Sequence, residues 1–377
     1  MNRFFRERFL RHGLVTALAF VLPSWSYSQT SKTISELKAQ AEKGDAQAQS
    51  ALGMDYHKGE GVPKDDAEAV KWWTKAAEQG DIAGELDLGF AYHFGWGVTK
   101  NYAAAARWYL KAAEQGNLGA QTDIGIMYHL GQGVPKDDAE AVHWWREAAD
   151  QGSVGAQLYL GGAYQRGQGV PKDDSEAARW FRKAADKGEP NAQAFLGKAY
   201  LYGAGVAKDE PEGIKWLHKS ADQGNINGQL SLGEAYRTGL GVAKDDAEAV
   251  RWYTKAADQG AVLAQYNVGL AYSVGAGVEK NPAEAVRWWQ KAAEQGFPNA
   301  QYNLGLAYHS GQGVPKDDVE AYFWVNLAAS LLGQTSVLQT RENIARSLTQ
   351  AQLSDAQRRC REWAEKHADS QSLYPAN

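Results

Sequence analysis

The chain has 377 residues, with 40 Lys and Arg against 45 Asp and Glu, a formal charge of −5, and a single cysteine. One cysteine excludes an internal disulfide framework. An acidic balance in which Lys and Asp alternate throughout, with no basic stripe, argues against nucleic-acid binding.

The first element reads as an export signal. Arg3, Arg6, Arg8 and Arg11 precede the apolar run from Leu14 to Leu22, and Ser26-Tyr27-Ser28 places small residues where a signal peptidase cuts. The run is shorter than the roughly 20 residues of a membrane span. Residues 1–28 are therefore expected to be removed, leaving Gln29 as the mature start and no membrane-spanning segment; an uncleaved anchor is the alternative. No Cys follows the run, so a lipid-modified start is excluded, and the chain holds neither paired Cys nor an Asn-x-Ser/Thr triplet. A bacterial periplasm is the expected compartment. Residues 29–44 follow as an N-terminal cap, in which Ile34, Leu37 and Ala41 fall on one helical face.

Residues 45–332 repeat with a 36-residue period. Gly53, Gly89, Gly125, Gly161, Gly197, Gly233, Gly269 and Gly305 mark eight copies without an insertion. A second series, Gly80, Gly116, Gly152, Gly188, Gly224, Gly260 and Gly296, keeps the same interval. A fixed period of this size implies a unit that buries its apolar face only by stacking on its neighbours. In the first copy, Ala48, Leu52, Gly53 and Tyr56 share one face of a helix A. Ala69, Trp72, Trp73, Ala76 and Ala77 give the wider stripe of a helix B. Gly at the ends of both helices supplies the left-handed residue that closes the last turn. The intervening turn, Gly59-Glu60-Gly61-Val62-Pro63-Lys64-Asp65-Asp66, returns almost unchanged at Gly131 and Gly311. Asp65 with Glu68 fits the spacing of an N-cap and its third residue, as do Asp137 with Glu140, Asp173 with Glu176, Asp209 with Glu212, Asp245 with Glu248, Asn281 with Glu284 and Asp317 with Glu320. The second copy departs, with Asn101 followed by Ala104.

The eighth copy keeps Ala321 and Trp324 but runs on through Leu327, Ala328, Leu331 and Leu332. Residues 333–377 are expected to add two capping helices, about 337–348 and 350–367, with Thr349 and Gln352 at the capping-box spacing. A tail begins near Asp369.

The joint pattern Ala, Leu-Gly, Tyr, Gly-x-Gly-Val, Ala, Trp, Ala-Ala, Gly resembles the Sel-one-like repeat family, a relative of the tetratricopeptide repeat, through all eight units. The resemblance implies an all-α fold, a right-handed α-solenoid of antiparallel helix pairs with helical caps. It implies an interaction scaffold whose partner is a protein, and it names no particular partner, because the shared residues are the packing residues. A monomer is expected.

Several motifs invite chemistry. His57, His93, His129 and His309 share one column of helix A, but equivalent positions in stacked helices stand about 8–10 Å apart, whereas ligand atoms lie about 2 Å from a shared ion. A solvated ladder at the groove edge is expected, with no metal and no cofactor. The turn Gly-x-Gly lacks the preceding strand of a dinucleotide fingerprint, and the Asp pairs lack the alternating spacing of a calcium loop. They read as turn glycines, caps and solvated charges. Some cysteine-rich members of the resembled family are described as β-lactamases. Ser35-x-x-Lys38 is the one matching tetrad in the mature chain, and it has neither a Ser-Asp-Asn nor a Lys-Thr-Gly partner. Cys360 reads as a packed cap residue, and the Trp pairs 72–73, 144–145 and 288–289 read as core. No catalytic residue is assigned.

Variation in helix A is more informative. Ser50, Met54 and Lys58 become Leu86, Phe90 and Phe94 in the second copy and Thr122, Ile126 and Leu130 in the third; later copies carry Tyr266 and Tyr302. Phe90, Phe94, Trp96, Ile126 and Leu130, with Tyr266 and Tyr302 further along, form either an apolar binding groove on the concave face or fillers of gaps between repeats. The function expected is a periplasmic, non-catalytic protein-binding scaffold. An immunity protein that neutralises a periplasm-delivered toxin is the specific role suggested by exported relatives; an adaptor in envelope polysaccharide assembly or signalling, and a β-lactamase-like hydrolase, are the alternatives.

Overall fold

The computed structural model describes residues 34–367. The expected signal segment, the mature start at Gln29 and the C-terminal tail lie outside the described residues.

Nineteen helices and no strand make up the described chain. The cap α1 (Ile34–Glu42) precedes eight A/B pairs: α2 (Ala46–Lys58) and α3 (Asp66–Glu78), α4 (Ile82–Phe94) and α5 (Tyr102–Glu114), α6 (Leu118–Leu130) and α7 (Asp138–Asp150), α8 (Val154–Arg166) and α9 (Asp174–Asp186), α10 (Pro190–Tyr202) and α11 (Glu210–Asp222), α12 (Ile226–Thr238) and α13 (Asp246–Asp258), α14 (Val262–Val274) and α15 (Pro282–Glu294), α16 (Pro298–Ser310) and α17 (Asp318–Leu332). Two cap helices close the chain, α18 (Thr335–Ser347) and α19 (Gln350–Lys366). Together they form the repeat α-solenoid that the 36-residue period predicts. The chain divides into two compact units, one ending at Asp209 and the other beginning at Glu210, so that the fifth pair contributes α10 to the first and α11 to the second.

Local sequence sets the helix ends. Asp45 caps α2 by accepting from the Ala48 amide at 2.7 Å, and Gly59 ends it in the left-handed region at φ 78°. Asp65 caps α3 by accepting from the Glu68 amide at 2.9 Å, and Asn101 does the same for α5 although Ala104 replaces the Glu. The third-residue Glu turns forward rather than back: Glu68 accepts from Lys71 at 2.7 Å, and Glu176, Glu248 and Glu284 accept from Arg179, Arg251 and Arg287 at 3.0–3.1 Å. A cation three residues ahead outcompetes a neutral amide for a carboxylate. The reciprocal capping box forms at Thr349 and Gln352, where the partner is neutral.

Two regularities join the helices. The Gly of each Leu-Gly step lets an aromatic ring lie against the helix A backbone: a Cβ on Gly53, Gly125 or Gly269 would stand 2.5 Å from the indole nitrogen of Trp73, Trp145 or Trp289. Tyr109, Tyr253 and Phe181 fill the same place against Gly89, Gly233 and Gly161. The second regularity is a buried Gln in helix A that donates to a carbonyl at the end of the preceding helix. Gln49 bonds Ala41 at 3.0 Å, Gln121 bonds Ala113 at 3.2 Å, and Gln157, Gln193, Gln229, Gln265 and Gln301 repeat the bond. In the second repeat the position is Glu85, whose carboxylate cannot donate; it retains the bond from Gln115 at 2.8 Å, which Gln49, Gln229 and Gln265 likewise accept from Gln79, Gln259 and Gln295.

Both ends are covered. Ala41 packs with Ala48, Leu52 and Trp72, and Ile34 and Leu37 lie against them. At the other end Val337, Ile344 and Ala356 join Tyr322, Val325, Ala328 and Ala329 in one apolar cluster.

Candidate interaction face

Within the first unit, the helix A row leaves one stripe open to solvent while its opposite side is buried. In α4 the stripe is Ala83, Asp87, Phe90 and Phe94, spaced by four, three and four residues; Gly84, Leu88, Gly89 and Ala91 are buried behind it. The same positions are Gly119, Asp123, Ile126 and Leu130 in α6, Gly155, Tyr159, Gly162 and Arg166 in α8, where Gly162 is buried, and Asn191, Phe195, Lys198 and Tyr202 in α10.

The structure gathers three of the sequence-predicted groove residues into one aromatic group. The Phe90 and Phe94 rings lie 6.3 Å apart and Phe94 stacks on Trp96 at 5.2 Å. Phe90 and Trp96 are half-buried, whereas Phe94 is 36% exposed. Ile126 and Leu130 repeat these positions one helix further on, Ile126 against the core cluster of Trp145 and Leu130 37% exposed. Tyr266 and Tyr302 belong to the other unit and are engaged internally: the Tyr266 ring lies 5.1 Å from Phe297, and the Tyr302 hydroxyl is 3.3 Å from that of Thr340.

The stripe also carries charge that the apolar reading of the sequence passed over. Asp87 and Asp123 occupy successive equivalent positions, are only half-exposed, and make no hydrogen bond or ion pair among the described residues. Partial burial on the stripe pushes both carboxyls up to about 7; at Asp87 the neighbouring Asp81 adds to this and Lys58 opposes it. Burial raises the Tyr109 pKa, and the Asp123 and Asp87 carboxylates add to it. Further along, burial lowers the Lys198 ammonium to about 8, and its nitrogen lies 5.2 Å from the Phe195 ring centre. The signal was available in the sequence: Ala51 in the first repeat gives way to Asp87 and Asp123, then to Tyr159 and Phe195.

The other candidates are accounted for by packing. The His column is not a solvated ladder. His57, His129 and His309 each bond through Nδ1 to the first Asp of the following helix, Asp66, Asp138 and Asp318, at 2.6–2.7 Å, and His129 is buried. His93 meets Tyr102 edge-on at 5.1 Å where the Asp is missing. Burial lowers the His129 pKa against the opposing pull of Asp138. Among the described residues no group of three or more His, Cys, Asp or Glu is placed to hold a metal ion. Cys360 is buried, with its thiol directed at the Phe323 carbonyl at 3.6 Å and its pKa raised by burial. Lys38 places its ammonium over the Tyr56 ring at 5.6 Å, and Ser35 is exposed on α1. Trp72, Trp73, Trp145, Trp288 and Trp289 are core, and Trp144 is half-buried.

Helix pairs whose repeated residues all serve packing, and whose variation falls on the open stripe of helix A, define a tandem-repeat α-solenoid that works through protein–protein contact. The Sel1 repeat model matches eight consecutive segments, residues 46–81, 82–117, 119–153, 154–189, 190–225, 226–260, 262–297 and 298–331. The chain belongs to the Sel1 repeat family. A protective antigen present in uropathogenic Escherichia coli strains, displaying an SLR fold, is 37% identical, with 89% of this chain and 80% of that one covered and a TM-score of 0.58. A Sel1 repeat protein from Oxalobacter formigenes is 33% identical, with 83% and 90% covered and a TM-score of 0.66. An immunity protein from Pseudomonas aeruginosa is 20% identical, with 64% and 81% covered; its TM-score of 0.37 is too low to bear on role. No curated protein matches the chain. No helix among the described residues is long and apolar enough to cross a membrane.

Proposed function

We propose that the chain is an exported, periplasmic scaffold without catalysis, which holds a segment or domain of another protein against the open stripes of α4 and α6. As its specific role we propose immunity, the occlusion of a toxin delivered to the same compartment. The observation that carries the scaffold reading is the pair Phe94 and Leu130. Two large apolar side chains stand exposed at equivalent positions of successive repeats whose packing residues are intact, and such anchors dominate interfaces. Export is supported by the arginines and apolar run at the start of the sequence. The reading without catalysis is supported by the packing roles of the His column and Cys360.

The test is capture from a periplasmic extract. Replacing Phe94 and Leu130 together by Ser is expected to abolish recovery of the natural partner, with helicity and melting temperature near those of the parent. Loss of cooperative unfolding in that variant would instead make these residues gap fillers. N-terminal sequencing of the periplasmic protein is expected to begin at Gln29. Co-expression with a secreted effector encoded beside the gene is expected to protect the cell; partners drawn from polysaccharide synthesis would replace immunity with assembly.

A further inference from the structure

Resting on the scaffold reading, we infer that the α4–α6 face takes a segment of another protein in which a lysine or arginine side chain lies between apolar residues, the cation seated between Asp87 and Asp123. The two carboxylates stand one repeat apart on adjacent stripes, about 10 Å from one another by the spacing of packed helices. Each is half-exposed and makes no hydrogen bond or ion pair with the described chain. A partly buried, unpartnered anion is costly to the free protein and is relieved by an incoming cation.

The surroundings narrow the choice of cation. Phe90 and Phe94 follow Asp87 along α4, and Ile126 and Leu130 follow Asp123 along α6. A lysine or arginine has an apolar stem for these walls and a charged head for the carboxylates. A bare metal ion has no use for the walls, and the repeat spacing keeps the two carboxylates from sharing one at ligand distance. Two cations lie further along the same row of stripes. Arg166 folds back over Gly162, where a Cβ would stand 3.0 Å from its guanidinium, and Lys198 occupies the stripe of α10. The row is therefore negative at α4 and α6 and flanked by cations on both sides, Lys58 on α2 and Arg166 and Lys198 on α8 and α10, so an incoming cation is favoured at the two Asp positions and disfavoured elsewhere along it.

The test uses the full chain and short synthetic peptides in which Leu and Phe flank a central Lys, Gln or Glu, with binding read by fluorescence anisotropy. The Lys peptide is expected to bind at least about tenfold more tightly than the Gln peptide, and the Glu peptide to bind least. The paired change Asp87→Asn with Asp123→Asn is expected to remove the preference for Lys while the Gln peptide binds as before. Phe94→Ser with Leu130→Ser is expected to weaken all three. Equal binding of the three peptides, lost only in the Ser variant, would overturn the cation reading and leave the scaffold reading standing. A preference for Lys that survives both Asn changes would also overturn it. Binding of none of the peptides would overturn the cation reading, while capture of the partner from the periplasmic extract decides the scaffold reading separately. Self-association of the chain that both Asn changes abolish would make a second copy the occupant and overturn the proposed partner.

Discussion

Asp87 and Asp123 give a signed prediction about pH. In the folded chain both carboxyls are pushed up to about 7 from an ordinary value of 3.8, so the folded state binds these protons more tightly than the unfolded state. The resulting destabilisation is complete above about pH 7 and disappears below about pH 4. The charges acting at Asp87 are Asp81 and Lys58, and the carboxylates in turn act on Tyr109, with Asp123 also acting on Tyr159. Replacing both by Asn is expected to raise stability by about 1–2 kcal/mol per site at pH 8, with the gap to the parent narrowing as pH falls below about 7 and closing by about pH 4 in thermal melts. A constant gap across that range would show that the carboxylates are hydrated as on an open surface. Glu85 is a second departure from the frame, and its pKa is raised chiefly by burial. Glu85→Gln should restore the bond that other repeats make to the preceding carbonyl, here that of Ala77, and stabilise by about 1 kcal/mol at neutral pH. Urea denaturation would measure it. These residues were hard to read from sequence for one reason. A polar side chain in helix A looks solvated whether its partner is water, a carbonyl eight residues back as for Gln49, or an Asp nine residues ahead as for His57.

At the scale of the helix pair, the close approach of an indole to a glycine backbone is the unit of packing. Trp145 is buried, donates from its ring nitrogen to the Thr122 carbonyl at 3.2 Å, and stacks on Tyr159 of the next repeat at 5.3 Å. Trp145→Ala is expected to cost about 3–5 kcal/mol. Gly125→Ala is expected to cost about 1–3 kcal/mol, because its new Cβ meets the indole. Combined, the two should cost less than their sum, since the smaller side chain removes the clash; strict additivity would mean that Gly125 is needed for some other reason. This level was legible in the sequence. The period, the two glycine series and the wide stripe of helix B fix which residues face the neighbouring helix, and the expected caps at Asp65 and Asp245 form. The direction taken by the third-residue Glu was not legible from the capping spacing alone, which is the same whether the carboxylate turns back to the cap amide or forward to the Lys or Arg three residues ahead.

For the molecule as a whole, repeats that contact only their neighbours make the ends matter. The apolar side of α17 that α18 and α19 cover includes Tyr322, Val325, Ala328 and Ala329. A chain cut after Gly333 is expected to melt at lower temperature and to self-associate in sedimentation, with the unit ending at Asp209 retaining its helical signal. An unchanged melting temperature would show that the last two helices are ornamental. The two cap helices were legible as elements, from the apolar run-on after Trp324 and the box at Thr349. Which apolar patch they cover was not, since that depends on where a chain segment outside the period folds back.

The Gln-to-carbonyl bond has a consequence for the order of events when the chain folds. It joins residues eight positions apart, as in Gln157 with Ala149, and the glycine-to-ring contact joins residues twenty apart, as in Gly125 with Trp145. Every tie of this kind closes a short loop, which makes for rapid folding with little search. Such a chain has no need to wait for its last residue: each helix pair finds its docking surface in the pair made just before it, so ordering can follow the growing or threading chain from its first repeat onward.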